Sequence, residues 1–311
     1  MMTALPGPTG IYGQLPRPLD AYADLPRDSV RLSPLEPGAR LMDTLETASF
    51  SRLALLAPRG TQERSFALAH ALRALQPGGQ LVAMAPKDKG GHRLGKELTA
   101  LGCAVYETAK AHHRICQTER PEDLSALDTA LRAGGLQQPP ALGGLWSQPG
   151  VFSWDRPDSG TETLLAVLPD LKGKGADFGC GIGLISQALL AQTGVTRLYG
   201  LDIDGRAIRA AQKNLSDPRL SLHWHDVRQP LDGLADLDFI VMNPPFHDGP
   251  DEDKQLGQAF IRVAAERLRP GGVCWLVANR HLPYEAELKS RFAHGRLVFE
   301  ANGFKVYEAI R

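Results

Sequence analysis

Asn243-Pro244-Pro245-Phe246 closes the apolar run Leu237 to Met242 and sets two imino acids where hydrogen-bonding backbone would otherwise continue. Neither proline can donate an N–H, and the ring of Pro244 pushes Asn243 towards an extended conformation. The carbonyls of this stretch therefore stay free. With the Asn243 amide oxygen they can accept both hydrogens of a planar amino group, while Phe246 offers a face for a ring to stack on. Such a constellation suits methylation of an exocyclic or amide nitrogen. The alternative is that Pro-Pro merely stops a strand.

A second group of residues stands upstream. Asp177-Phe178-Gly179-Cys180-Gly181-Ile182-Gly183 precedes the apolar, helix-forming stretch Leu184 to Ala191, so a glycine-rich turn opens a helix and its backbone can approach a ligand closely. Further on, the run Arg197 to Leu201 ends in Asp202, followed by Ile203, where a carboxylate at a strand tip can grip ribose hydroxyls. Asp226 and Val227 follow the short apolar segment Leu220 to Trp224 and are expected to meet the edge and face of an adenine. The cofactor-binding set read from the sequence is thus Asp177, Gly179, Cys180, Gly181, Gly183, Asp202, Ile203, Asp226, Val227 and Asn243, and the catalytic set is Asn243, Pro244 and Phe246. Leu184 stands where a dinucleotide fingerprint carries its third glycine. The pattern names an adenosine cofactor without saying which.

These stations must be carried by an alternating fold. Strands are expected at Ala176 to Phe178, Leu198 to Asp202, Leu220 to Trp224, Leu237 to Met242 and Val273 to Ala278. Helices are expected at Thr161 to Leu168, Ala207 to Leu215 and Gly257 to Leu268. That alternation gives an α/β, doubly wound parallel sheet with ligands across its C-terminal strand ends. The tail adds a hairpin, since Leu297 to Glu300 and Phe304 to Tyr307 flank the tight-turn signal Ala301-Asn302-Gly303.

With these motifs in hand, residues from about 150 onwards resemble a class I S-adenosylmethionine-dependent methyltransferase with a Rossmann-like sheet. More narrowly, Pro149-Gly150-Val151-Phe152-Ser153, Asp177 to Gly183, Asn243 to His247 and Ala278 to Glu285 resemble the two-domain bacterial ribosomal RNA guanine-N2 methyltransferases of the small-subunit type. That resemblance implies S-adenosylmethionine as cofactor, a guanine of ribosomal RNA as substrate, and a degenerate copy of the catalytic domain ahead of it. It also implies a role for each residue of the motif. The Asn243 oxygen and the Pro244 carbonyl would hold the two amino hydrogens and point the nitrogen lone pair at the methyl group, with Phe246 stacking on a base swung out of its helix. His247 can take the departing proton or simply pack. The acidic run Asp248, Asp251, Glu252 and Asp253 is either a solvated loop or a gate.

A repeat supports the degenerate copy. Leu75-Gln76-Pro77-Gly78-Gly79 resembles Leu268-Arg269-Pro270-Gly271-Gly272, and Val105-Tyr106-Glu107 follows in the same register as Val298-Phe299-Glu300. Leu53 to Ala57 is expected in the place of Phe239 to Met242, with Pro58-Arg59-Gly60 replacing the Asn-Pro-Pro-Phe motif. No glycine loop precedes it, and the first fifty residues are Pro-rich and too few for the missing strand-helix units. The sequence therefore divides into residues 1–140, a truncated copy with no cofactor site, and residues 141–311, the catalytic domain, joined near the Gly, Pro and Gln cluster between Gly134 and Gly150.

The formal net charge of the 311 residues is zero, which removes any global electrostatic argument for nucleic-acid binding. An RNA contact must rest on local patches. Lys87, Lys89, Arg93 and Lys96, with His92, form one, opposed by Asp88 and Glu97; Lys110, His112, His113 and Arg114 form another. Either can equally be a solvated loop. The four cysteines have neither metal-ligand nor disulfide spacing, so free thiols and no metal are expected, Cys180 serving as a small packing residue. No signal peptide and no bilayer-spanning run is read, so a soluble cytoplasmic monomer without membrane contact is expected, its partner ribosomal RNA or a ribosomal subunit. Other readings of the same residues remain: a large-subunit guanine-N2 enzyme, a protein glutamine or DNA adenine methyltransferase, or a non-catalytic RNA-binding protein; a dinucleotide dehydrogenase is set aside by Asn243 to Phe246 and the absent third glycine.

Overall fold

The computed structural model describes residues 7–23, 25–244 and 250–311, the side chains of 20, 21 and 250–254 excepted. The chain divides into two compact units, Met1–Leu136 and Gln137–Arg311. Each is built round its own mixed sheet. No helix among the described residues is long and apolar enough to cross a membrane.

In the first unit the order is β1 (Thr9–Tyr12), α1 (Asp20–Ala23), β2 (Val30–Leu32), β3 (Phe50–Leu56), α2 (Thr61–Ala74), β4 (Leu75–Pro86), α3 (His92–Ala100), β5 (Tyr106–Lys110), β6 (His113–Glu119) and α4 (Leu127–Gly134). The second runs α5 (Ser159–Leu165), β7 (Gly173–Phe178), α6 (Leu184–Leu190), β8 (Val195–Asp202), α7 (Gly205–Asn214), β9 (Leu220–Trp224), β10 (Leu237–Met242), α8 (Pro250–Arg267), β11 (Leu268–Asn279), α9 (Glu285–Arg291), β12 (His294–Ala301) and β13 (Phe304–Ile310).

The second sheet has the order β12-β13-β11-β10-β7-β8-β9. Strands β7 to β11 pair in parallel, and the terminal hairpin of β12 and β13 runs antiparallel along β11. Its central strand is apolar on both faces because helices cover both: Ile240 and Met242 pack into one core cluster, Phe239 and Val241 into the other. The hairpin turn is Asn302-Gly303, both at positive φ (54° and 81°), the conformation that matches a tight two-residue turn to twisted strands.

The first sheet repeats this plan. Its order β5-β6-β4-β3-β1-β2 and its strand directions match those of β12-β13-β11-β10-β7-β8, lacking only a counterpart of β9. The Pro-Gly-Gly segments near the starts of β4 and β11 have matching backbones, with φ of 75° at Gly78 and 76° at Gly271. Two expectations change. Residues 9–32 do supply a strand, helical turn and strand, because three or four residues suffice where the sheet narrows towards its edge. The register also slips by one: Phe50 faces Leu75 as Leu237 faces Leu268, which sets Leu53 at Ile240 and Leu56, the last residue of β3, at Asn243.

The same register compares the chemistry of the two copies. Tyr12 pairs with Leu32 and Leu55 as Phe178 pairs with Leu201 and Met242. Ile11, Ser33 and Leu56 therefore occupy the positions of Asp177, Asp202 and Asn243. Inside the first copy, Arg64 is 1% exposed and its guanidinium donates to the Glu97 carboxylate (2.6 and 2.7 Å) and to the carbonyls of Pro58 and Arg59 (3.0 and 2.8 Å). By the 193-residue offset that aligns β4 with β11, Arg64 stands at Gly257 and Gly91 at Tyr284. A Cβ on Gly257 would run into the Tyr284 hydroxyl, so large and small residues have changed places between the copies.

Candidate active site

Strand β7 ends in the glycine turn, and three of its residues take positive φ: Gly179 at 74°, Gly181 at 54° and Gly183 at 97°. That conformation turns successive N–H groups along the loop, with Gly179 and Cys180 both donating to the Leu201 carbonyl (2.8 and 3.0 Å). A Cβ at Gly181 would meet nothing within 4 Å, so this part of the loop borders open space. Cys180 is 5% exposed and burial pushes its thiol well above the usual range, which makes it an inert packing residue beneath the loop.

Asp202 sits at the tip of β8 with both oxygens anchored. Its Oδ2 accepts from Gly181 N and its Oδ1 from Asp204 N, each at 2.8 Å. Burial pushes its carboxyl up to about 6, against the pull of the backbone hydrogen bond from Asp204. Each anchored oxygen keeps a second lone pair for a ribose hydroxyl. Asp177 lies deeper, fully buried. Its Oδ2 accepts from the Ser186 hydroxyl at 2.6 Å, and its Oδ1 has no hydrogen-bond partner. Burial raises Asp177 to about 7; the Ser186 hydrogen bond opposes this rise and the charge of Asp202 adds to it.

The residues expected at an adenine are engaged within the protein. Both Asp226 oxygens accept from the Arg228 guanidinium (2.9 to 3.1 Å at Nε, 2.7 Å at Nη2), and although burial would raise its carboxyl, these bonds hold it below the usual range. Any amino group of a ligand shares the carboxylate with this arginine. Val227 is 3% exposed and belongs to the core with Leu201 and Leu234. Ile203 is half-buried, its carbonyl accepting from the Trp224 indole at 2.8 Å.

Asn243 follows β10 directly, and its carbonyl lies 3.7 Å from where a Cβ on Gly179 would be, so the motif and the glycine loop adjoin. Its amide nitrogen donates to Asp158 Oδ2 (2.8 Å) and Thr161 Oγ1 (2.9 Å). Its amide oxygen is buried with no hydrogen-bond partner. Pro244 is buried beside it. Pro245, Phe246, His247 and Asp248 lie outside the described residues, and so do the side chains of Asp251, Glu252 and Asp253.

Sequence reasoning missed the frame round these groups. Asp158 caps α5, accepting from Thr161 N at 2.8 Å. Asn214, at the end of α7, accepts from Trp146 N and donates to the carbonyls of Trp146 and Ile182 (2.7, 3.0 and 2.9 Å), fixing the glycine loop to the segment before α5. The buried pair Arg206 and Asp204 (2.8 Å) reaches the Gly150 carbonyl in the same way. Asp158 reads in sequence as an ordinary helix cap, and nothing local shows that a cap also reaches a strand end 85 residues away.

In the first unit the structure joins the two basic groups. Lys87 N donates to the His112 carbonyl at 2.9 Å and Pro86 pairs with His113, so the two groups share one end of the sheet. Lys87, Lys89, His92, Arg93, Lys96, Lys110 and His112 are all exposed there. Of the acids expected to oppose them, Glu97 is already engaged by Arg64.

Comparison with known proteins fits this geometry. Residues 143–308 match the family described as methyltransferase small domain. The chain is 32% identical over 262 residues to the ribosomal RNA small subunit methyltransferase C of Acinetobacter baylyi, covering 82% of this chain and 77% of that one. It is 32% identical over 306 residues to the protein of the same name from Pseudomonas aeruginosa, covering 94% and 92%. Among solved structures it resembles the T. thermophilus 16S rRNA N2 G1207 methyltransferase (RsmC) in complex with AdoMet and guanosine, with a TM-score of 0.78 and 27% identity over 99% of this chain and 90% of that one. A glycine turn, a strand-tip carboxylate and an Asn-Pro strand end held as described, in a chain matched along most of its length, place the protein: it belongs to the methyltransferase small domain family, alongside the proteins named ribosomal RNA small subunit methyltransferase C.

Proposed function

We propose that this chain transfers a methyl group from S-adenosylmethionine to the exocyclic N2 amino group of a guanine in 16S ribosomal RNA. The observation that carries the chemistry is the Asn243 amide oxygen, buried and without a partner, on a residue whose main-chain carbonyl adjoins the glycine loop. A buried acceptor left unpaired is costly, and an amino group satisfies it. The relatives and the solved neighbour favour ribosomal RNA over a protein glutamine or DNA adenine substrate, and guanine N2 over other amino groups.

The residues present suit the cofactor. Asp202 offers free lone pairs for ribose hydroxyls, Gly181 leaves room, and the carboxylates of buried Asp177 and half-buried Asp202 suit a ligand carrying positive charge. When bound, S-adenosylmethionine supplies a methyl group already activated by its sulfonium. What remains for the protein is to position the acceptor and exclude water. The Asn243 oxygen and the Pro244 carbonyl would hold the two amino hydrogens, orienting the nitrogen lone pair, and Phe246 would stack on the base. Proton loss after transfer can go to water, so the chemistry requires no base at His247.

The first unit is read as a copy that binds no S-adenosylmethionine, since Ile11, Ser33 and Leu56 stand at the three chemical positions. Its basic face, with Lys87, Lys89, Arg93 and Lys96 exposed, is read as the place where ribosomal RNA docks. The protein is read as a cytoplasmic monomer acting on ribosomal RNA or a ribosomal subunit. Mapping N2-methylated guanines in ribosomal RNA from cells with and without this protein tests the function. One 16S guanine should lose its methyl group, at the site corresponding to the T. thermophilus G1207; an unchanged 16S map would refute the reading.

A further inference from the structure

We infer that Asp158 and Thr161 are positioning residues that hold the Asn243 amide with its oxygen turned away from them, making the site accept amino groups and reject carbonyls. This rests on the proposed methyl transfer to an amino nitrogen. The chemistry of the partners fixes the orientation. An ionised carboxylate can only accept hydrogen bonds, so the group that faces Asp158 Oδ2 at 2.8 Å must be the Asn243 nitrogen. The second amide hydrogen goes to Thr161 Oγ1 at 2.9 Å. Both donors are spent on the frame, and the oxygen is left on the far side, buried and unpartnered.

Rotating the amide by half a turn would set its oxygen against the Asp158 carboxylate and leave the nitrogen without an acceptor. The frame resists that rotation because it is itself fixed: Asp158 Oδ2 also accepts from Thr161 N at 2.8 Å, and Thr161 is 8% exposed in the first turn of α5. An unheld asparagine presents donor or acceptor with little preference and serves an amino group or a carbonyl alike. Held this way, Asn243 offers an acceptor alone. The N2 amino group of guanine answers that demand, whereas its O6 carbonyl does not.

The test uses the full chain with Thr161→Val, which removes the hydroxyl at nearly constant volume, Thr161→Ser, which keeps it, and Asp158→Ser, which keeps a helix cap too short to reach Asn243. Single-turnover methylation of 16S RNA at saturating S-adenosylmethionine should fall about tenfold in Thr161→Val and in Asp158→Ser, and return in Thr161→Ser. In an Asn243→Ala background the same changes should have no further effect, since they act through that side chain. The side-chain amide signals of Asn243, assigned by their loss in Asn243→Ala, should show two hydrogen-bonded protons in the wild type and move in Thr161→Val. This readout needs no activity and so separates the frame from the proposed reaction. Equal losses of rate in both backgrounds, or amide signals unmoved by Thr161→Val, would overturn the inference.

Discussion

Replacing Asp202 by Ala separates the structural job of this carboxylate from the ribose grip proposed for it. As a structural tie it accepts from the amides of Gly181 and Asp204, each at 2.8 Å. Losing two hydrogen bonds to a charged acceptor costs about 1.5 to 3 kcal/mol apiece. Against that stands the cost of taking the charge out of water: the carboxyl is raised from 3.8 to about 6 even with those bonds made, so burial outweighs them in the charged form. The cofactor-free variant should therefore lose no more than about 3 kcal/mol, a fall in Tm of no more than about 10 °C. Cofactor affinity has no such compensation. The ribose hydroxyls lose a charge-assisted acceptor pair, worth about 3 kcal/mol or roughly a hundredfold in Kd. Calorimetric titration with S-adenosylmethionine and a thermal scan of the free protein measure the two quantities. An affinity within threefold of wild type would refute the assignment of Asp202 to the ribose.

Asn243→Ala should keep most cofactor affinity and lose methyl transfer by about a hundredfold or more in single turnover on 16S RNA, as expected for an oriented polar group acting on the reacting nitrogen; an unchanged rate would reduce the motif to a strand terminator. Cofactor binding should weaken as pH drops through 7 to 6, by up to about tenfold per pH unit for each carboxylate, because Asp177 and Asp202 rise to about 7 and about 6 in the free protein and a cationic ligand favours their ionised forms. Titrations in buffers of different ionisation enthalpy should accordingly detect proton release on binding. Without ligand the sign reverses: these raised carboxyls stabilise the fold below the ordinary carboxylate range, and the contribution is lost as pH rises through about 6 to 7. Changing Lys87, Lys89, Arg93 and Lys96 together to Ala should weaken RNA binding and flatten its log–log salt slope by about 3, at roughly 0.7 per phosphate contact, with S-adenosylmethionine affinity unchanged; RNA titrations at several salt concentrations measure this, and an identical slope would place docking elsewhere.

The catalytic sheet was legible because its strands are unbroken apolar runs between glycine and proline signals. Leu220 to Trp224 and Leu237 to Met242 match the structure end to end, and the hairpin was announced by Asn302-Gly303. Helix α8 begins at Pro250, seven residues ahead of the expected Gly257, because acidic residues in a first turn read as loop although they suit a helix N-terminus. The short strands Thr9–Tyr12 and Val30–Leu32 carry too few residues for a period of two to register, and tertiary pairing alone makes them strands. At the site, residues in local motifs could be named from sequence. What escaped were pairings between distant segments, Asn214 with Trp146 and Ile182 and Asp158 with Asn243, together with the local capture of Asp226 by Arg228, where a basic neighbour reads as ordinary surface charge.

The exchange of Arg64 with Gly257, and of Gly91 with Tyr284, bears on the history open to the first copy. Arg64→Gly alone would strand the partly buried Glu97 carboxylate and leave the carbonyls of Pro58 and Arg59 without their donor. Gly91→Tyr alone would drive a side chain into the backbone, since even a Cβ there comes within 2.6 Å of the Ala85 and Pro86 carbonyls. Each reversal is harmful by itself, and the Gly91 position opens only if the backbone of Ala85 and Pro86 shifts as well. Drift one residue at a time therefore meets a barrier in the backward direction. A copy whose interior is tied together by an ion pair keeps its surface open to change, while its buried positions resist reversal by small steps.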